Sequence, residues 1–303
     1  MSETRNGVNA GDSSAITRAY LDSLLVEMRH IDAVEPSTQF ELYGHIFETP
    51  IMMAALSHLD KTRHQGMVEA AKGMLAAGGV MWCGMGDEKE LEAICATGAK
   101  TIKIIKPHAD NRDVFRKIDH AQKCGCIGIG MDIDHQFGSK HERGSVLKVP
   151  MSPKTIDDIR AFVKATPLPF IVKGVLSEQD AQKCLDAGVR GVVLSHHHGL
   201  MDYAVPPLRI LPAIARRINR TIPIFVDCEM SRGMDAFKAI ALGATAVSAG
   251  RILIGPLGEE GAEGVRKTIA SMTNELNWAM AVTCATDLRH IDPGVIWDKN
   301  RYC

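Results

Sequence analysis

The chain is 303 residues long, 46% hydrophobic, with a net charge of −1; that length suits one α/β barrel and that apolar share supports a sizeable core. Balanced charge gives no bulk attraction to nucleic acid or an anionic membrane, and no run of about 18 apolar residues reads as a transmembrane helix. The polar opening MSETRNGVNAGDSS lacks the apolar stretch of a signal peptide, and eight scattered cysteines without a CxxC pair favour reduced thiols over structural zinc, so a cytoplasmic protein is expected.

Residues 1–14 read as a disordered tail, and 15–303 as one barrel with an N-terminal helical extension. Residues 15–30 carry Ile16, Tyr20, Leu24 and Met28 at helical spacing. From Pro50 short apolar runs alternate with amphipathic stretches. Strands are predicted at 50–56, 79–84, 99–107, 126–134, 169–175, 191–197, 222–228 and 244–253. Helices are predicted at 67–79, 88–98, 113–125, 152–166, 177–188 (with Ser177 as N-cap), 206–217, 232–243 and about 259–283. A polar loop at 135–145 is longer than most strand-to-helix connections. Alternation of this kind implies a parallel sheet, and eight units close a (β/α)8 barrel. An open doubly wound sheet is the alternative, disfavoured because no GxGxxG follows the first strand.

In such a barrel the chemistry sits where the strands run out. Lys173 ends one apolar run, where a lysine must face an anionic or electron-rich partner; it reads either as a Schiff-base amine or as a cation beside a cofactor. The run Ser195-His196-His197-His198-Gly199 offers a general base more readily than a metal site, because consecutive strand residues point to opposite faces. Asp227 ends the seventh strand, where it competes with a role as cap of the helix from Arg232. Gly250-Arg251, followed by Ile254, Gly255 and Pro256, suits a phosphate. No metal is expected.

These stretches resemble the FMN-dependent α-hydroxy acid oxidases and dehydrogenases. The resemblance rests on LPFIVKGVLSEQDAQKCLDAGVRGVVLSHHHG, VPPLRILPAI, IPIFVDCEMSRGMDAFKAIALGATAVSAGRILI and MAVTCATDLRHI, spans roughly 160–291, and continues more weakly through ETPIMMAALSH and GIGMDID. It implies FMN as cofactor, a small-molecule substrate, and a homo-oligomer (tetramer or octamer). His197 falls on the base of that family's Ser-Asn-His-Gly-Gly-Arg pattern, since Ser195 and Pro206 keep its spacing. Lys173 matches the lysine beside flavin N1 and O2. Asp227, with Arg232 nearby, matches the Asp-Gly-Gly motif, Gly250 and Arg251 match the phosphate grip, and Ala54, Ala55 and Leu56 match the first-strand segment against the flavin.

The departures concern substrate. The arginine that clamps the substrate carboxylate is Leu200 here, followed by Met201, and the Asp-Gly-Gly motif reads Asp227-Cys228-Glu229. Strand three carries Lys103-Ile104-Ile105 in place of Gln-Leu-Tyr, so Lys103 is weighed as a flavin contact against an ordinary strand-end lysine. Lys103, Lys106, Lys140 and Arg143 are alternative anion contacts. The expectation is hydride transfer from a hydroxyl-bearing carbon to flavin N5 with His197 as base, on a substrate other than a simple 2-hydroxy acid. Its alternatives are an FMN-dependent isomerase, a flavin-independent phosphate-binding lyase or isomerase, and a degenerate barrel that binds without turnover.

Overall fold

The protein is described from a computed structural model, which covers residues 10–139 and 142–299. Eight parallel strands form the sheet: β1 (Ile51–Met53), β2 (Met81–Cys83), β3 (Thr101–Ile105), β4 (Gly128–Asp132), β5 (Phe170–Lys173), β6 (Gly191–Leu194), β7 (Ile224–Val226) and β8 (Ala246–Ala249). From β2 to β8 each pairs with the next in sequence, and β8 pairs with β1. The ring closes between β1 and β2, where Met53 N donates to Val80 O at 3.1 Å and Leu56 bridges Cys83. The strands are up to four residues shorter at either end than the apolar runs suggest; at the C-terminal ends the polar residues leave the ladder to form the mouth.

Two-residue alternation sorts the strands into two cores. Met52, Trp82, Ile102, Ile104, Ile171, Val193, Phe225 and Ala246 fill the barrel interior, with Trp82 and Phe225 packed edge to face at 5.2 Å. The N-terminal hairpin Phe40–Leu42 with His45–Phe47 contributes Phe40, Leu42 and Phe47 to this cluster. The opposite residues, such as Met53, Met81, Met131, Val172, Leu194 and Val226, pack with the helix layer. Burying each large side chain contributes about 1.5–3 kcal/mol. On β4 the interior position is Gly130: a Cβ there would stand 2.5 Å from Ile171 O, so the close approach of β4 to β5 requires glycine.

Two expectations at the ends of the chain are corrected. The N-terminal helix runs Ser13–Ser23, not 15–30, and Leu24–Val26 is an extended strand paired antiparallel with Ile296–Asp298. Its start lies inside the segment read as disordered: Asp12 caps it by accepting from Ser14 N, while residues 1–9 lie outside the described residues. Its buried stripe is Ser13, Thr17 and Leu21 instead of the larger Ile16, Tyr20 and Met28, because Ser13 and Thr17 bond into the barrel. The C-terminal helix is two pieces, Ile254–Glu260 and Ala262–Ala281, broken at Gly261 with φ +63°, a left-handed conformation that favours glycine. Ser177 caps its helix as expected, accepting from Asp180 N at 3.0 Å. The long loop after β4 holds a short turn at Ile133–His135 and a small antiparallel pair, Ser145–Val146 with Val149–Pro150.

Candidate active site

The alternation that puts Ile171, Val193 and Phe225 inside the barrel puts Lys173, Ser195 and Asp227 inside as well, one pleat nearer the C-terminal mouth. Lys173 is 5% exposed and lies level with Asp132 in the β4–β5 register. Its Nζ donates to Ser195 Oγ at 3.0 Å and lies 3.4 Å from Asp227 Oδ2, 3.5 Å from Asp132 Oδ1 and 3.8 Å from Asp134 Oδ2. Burial alone lowers an ammonium pKa, but Asp132, Asp227 and Asp134 outweigh it and hold Lys173 well above the ordinary lysine value. A Schiff base needs a free amine, so this environment contradicts that reading of Lys173.

Asp132 is the hub of the site. It is 2% exposed, and its Oδ2 accepts from Lys106 Nζ at 2.6 Å. Burial pushes its pKa up, yet Lys106, Lys173 and His197 together hold it well below the usual carboxylate range. Asp134 goes the other way: burial and the neighbouring Asp132 raise it. Two carboxylates this close separate their titrations, one ionised and one inclined to keep its proton.

His197 leaves β6 in the left-handed region, φ 49°, which turns its ring back over the mouth. Its Nδ1 lies 3.3 Å from Asp132 Oδ2, 3.2 Å from Asp134 Oδ1 and 3.2 Å from Lys173 Nζ. Burial disfavours the charged ring, but the two aspartates prevail over burial and Lys173, and the pKa is raised above 6.5. Two carboxylates at Nδ1 favour the proton there, which leaves Nε2 as the acceptor. His135 stacks edge to face on His197 at 4.1 Å and is held neutral, burial pushing its pKa down to about 4. Among the described residues His135 Nε2 and both Asp134 carboxylate oxygens are buried without a hydrogen-bond partner.

The other histidines divide differently. His196 faces away from the mouth: its Nδ1 accepts from Gly199 N at 3.0 Å, so its Nε2 donates to Thr17 Oγ1 at 2.8 Å. The histidine run therefore brings no metal set together. Asp132, Asp134, His135 and His197 do place ligand-type atoms within 4.8 Å of one another, but their carboxylates already face the ammonium groups of Lys106 and Lys173.

Ala54, Ala55, Lys173, His197, Asp227, Gly250 and Arg251 line one cavity of about 90 Å3, so most of the residues assigned to a cofactor do converge. Ser195 joins them through Lys173. Asp227 is not a helix cap; Arg232 holds that position, with Asp235 Oδ2 accepting from its N–H at 3.1 Å. Four assignments fall elsewhere. Arg232 points to Asp22 at 2.9 Å, outside this cavity. Lys103 lies on the face opposite Ile102 and Ile104, where its Nζ donates to Gly84 O, and it lines a second cavity of about 660 Å3 with Lys106, His108 and Lys117. Leu200 is half-buried with its N–H bonded to His196 O at 3.0 Å, and Met201 is 65% exposed; neither lines these two cavities. Arg143 is exposed, and Lys140 lies outside the described residues. Asp132, Asp134 and His135 are the site residues that motif reading passes over, and Lys106, read only as an alternative anion contact, is instead paired with Asp132. Their signal is period two: Lys106 continues the inward face of Ile102 and Ile104, and Asp132 that of Gly130.

The comparisons with known proteins fit this geometry. The sequence model described as FMN-dependent dehydrogenase matches residues 4–156 and 152–298. The chain belongs to that family. Glycolate oxidase 3 of Arabidopsis thaliana is 26% identical over 92% of this chain and 85% of its own length, and L-lactate oxidase of Lactobacillus jensenii 28% over 85% and 71%. A 2-hydroxyacid oxidase of Dictyostelium discoideum is 36% identical, over 49% of this chain and 38% of its own. A crystal structure of mandelate oxidase superposes with a TM-score of 0.86 at 25% identity, covering 95% of this chain and 90% of that one. Family membership makes the chain an FMN-dependent oxidoreductase with FMN as its cofactor. The residues present fit that group: small Ala54, Ala55 and Gly250 line the cavity, where Arg251 would offer a cation to a phosphate and Lys173 a cation to an electron-rich ring.

Proposed function

We propose that the chain oxidises a hydroxyl-bearing carbon, with His197 Nε2 taking the hydroxyl proton, and that the substrate is not a simple 2-hydroxy acid. When bound, FMN supplies the acceptor for the hydride. Lys173, held charged by three carboxylates, would offset negative charge on the cofactor ring, and Ser195 holds Lys173 in place. Ala54, Ala55, Asp227, Gly250 and Arg251 hold the cofactor. Asp132 orients His197 and stabilises the imidazolium once it has taken the proton.

The substrate reading is carried by one observation. The mouth beside His197 presents carboxylates, and its cations are already committed to them: Lys173, 3.2 Å from His197 Nδ1, faces Asp132, Asp134 and Asp227, and Lys106 is bound to Asp132 at 2.6 Å. With Leu200 where the family has its arginine, the described residues offer no bidentate carboxylate clamp beside His197. Asp134 and His135 offer hydrogen-bonding atoms to a further hydroxyl on the substrate. Homo-oligomeric assembly, as a tetramer or octamer, belongs to the same proposal and is supported by the family resemblance; cytoplasmic residence is proposed on the scattered cysteines, which are free among the described residues.

The role of His197 is tested by His197→Gln, using whichever of mandelate or its methyl ester reduces bound flavin faster in the wild type. The expected loss in anaerobic flavin reduction is about a thousandfold, the range of general-base catalysis, with FMN affinity retained. A loss below about threefold contradicts the assignment.

A further inference from the structure

The family's Asp-Gly-Gly motif is Asp227-Cys228-Glu229 here, yet the backbone keeps the conformation that glycines would supply. Cys228 has φ 69° and Glu229 φ 61°. Each left-handed non-glycine residue costs about 1–2 kcal/mol, so the surrounding contacts must impose the turn. Those contacts are present behind it. Arg18 Nη1 donates to Glu229 O at 3.1 Å while the same guanidinium grips the fully buried Asp235 at 2.8 and 2.9 Å. Asp235 Oδ2 also accepts from Ser231 N and Arg232 N, both at 3.1 Å.

The pinned turn sends the Glu229 carboxylate into the small cavity, where it forms an ion pair with the Arg251 guanidinium. Arg251 is the cation assigned above to the cofactor phosphate. A carboxylate and a phosphate are both planar-faced or branched oxyanions that present paired acceptors to a guanidinium, and one guanidinium end cannot serve both fully. The Glu229 side chain is 20% exposed, partly withdrawn from water, so its charge would also repel an arriving phosphate.

We propose that Glu229 is a built-in competitor for the cofactor phosphate: it occupies Arg251 in the unloaded chain, and FMN must displace it to bind. The inference rests on the cofactor reading of the Gly250–Arg251 cavity. It makes Glu229 a residue that sets how strongly this chain distinguishes phosphorylated from unphosphorylated flavin.

The test is the dissociation constant of FMN and of riboflavin, measured by flavin fluorescence quenching in the wild type and in Glu229→Gln and Glu229→Asp. Removing the charge should tighten FMN about tenfold, which is 1.4 kcal/mol, and change riboflavin less than about threefold. Glu229→Asp, which keeps the charge but withdraws it by one methylene, should fall between, so a folding defect peculiar to glutamine cannot imitate the result. Unchanged FMN affinity in both variants overturns the proposal, as does an equal gain for riboflavin, which would mean that only room in the cavity had changed. If Arg251→Gln leaves FMN affinity intact, the phosphate lies elsewhere and the underlying cavity assignment fails as well; FMN weakened by Arg251→Gln but indifferent to Glu229→Gln sinks only the competitor role.

Discussion

The two halves of the barrel mouth are built on different terms. On β5 to β8 the polar strand ends are those of the family: Lys173, Ser195, His197, Asp227, Gly250 and Arg251, gathered by hydrogen bonds and one shared cavity. On β3 and β4 the chain supplies its own charges, Lys106 against Asp132 with Asp134 and His135 beside them. Under the proposed function the first half-mouth holds the cofactor, whose shape is fixed, and the second faces the substrate. A buried charge survives only with a partner, so a substrate site that loses its arginine must also settle the charges left behind. Here that is done within the mouth, where Lys106 is paired with Asp132 and Lys173 faces Asp132, Asp134 and Asp227, so the described cations beside His197 are committed to carboxylates.

The sharpest way to break this division is to remove the one residue that belongs to both halves. Lys173 neutralises Asp132 and Asp134 on one side and Asp227 on the other. Lys173→Met should cost about 3 kcal/mol in urea unfolding, the usual penalty for stranding a buried charge. The cost should be greater at pH 8 than at pH 5, because the stranded carboxylates, Asp134 first with its raised pKa, are neutralised by protons at the lower pH. Equal losses at both pH values would mean that Lys173 contributes packing alone.

A smaller effect separates His197 from its carboxylates. The base must be neutral to accept a proton, and its pKa lies above 6.5, so flavin reduction should rise with pH along a limb centred above that value. Asp132→Asn removes the larger of the two carboxylate contributions that raise it. The limb should then move to lower pH, while the limiting rate falls because the imidazolium loses its counterion. A limb that stays in place would assign the titration to another group.

The smallest effect concerns Lys103. Its ammonium is bonded to Gly84 O on the outer side of the strand. Lys103→Met should therefore leave the FMN dissociation constant within about twofold, under half a kcal/mol, whereas a tenfold weakening would return Lys103 to the flavin.

Lys103 and Lys106 also show what a sequence conceals. The barrel, its eight strands and the strand-end residues Lys173, Ser195 and Asp227 are legible because buried strands are short apolar runs and polar residues mark where they stop. The choice between Lys103 and Lys106 depends on pleat parity, which Ile102 and Ile104 display but a gapless motif alignment overrides. His196 and His197 are adjacent and chemically alike; the bond from His196 to Thr17, 179 residues away, separates the one tied to the N-terminal helix from the one proposed as the base. The pairing of Glu229 with Arg251 joins two loops and has no local signature at all. The helix read over 15–30 failed for a related reason: its last residues are claimed by a strand partner at the far end of the chain.

The central claim is that this mouth oxidises a hydroxyl-bearing carbon without gripping a carboxylate. It is tested most directly by anaerobic stopped-flow reduction of the FMN-loaded protein with mandelate and with its methyl ester, the same reacting carbon with and without the anion. The account predicts that the ester reduces the flavin at least as fast as the acid and saturates at lower concentration. Reduction by the acid about a hundredfold more efficiently than by the ester, a difference near 2.7 kcal/mol, would reveal a carboxylate clamp and contradict it.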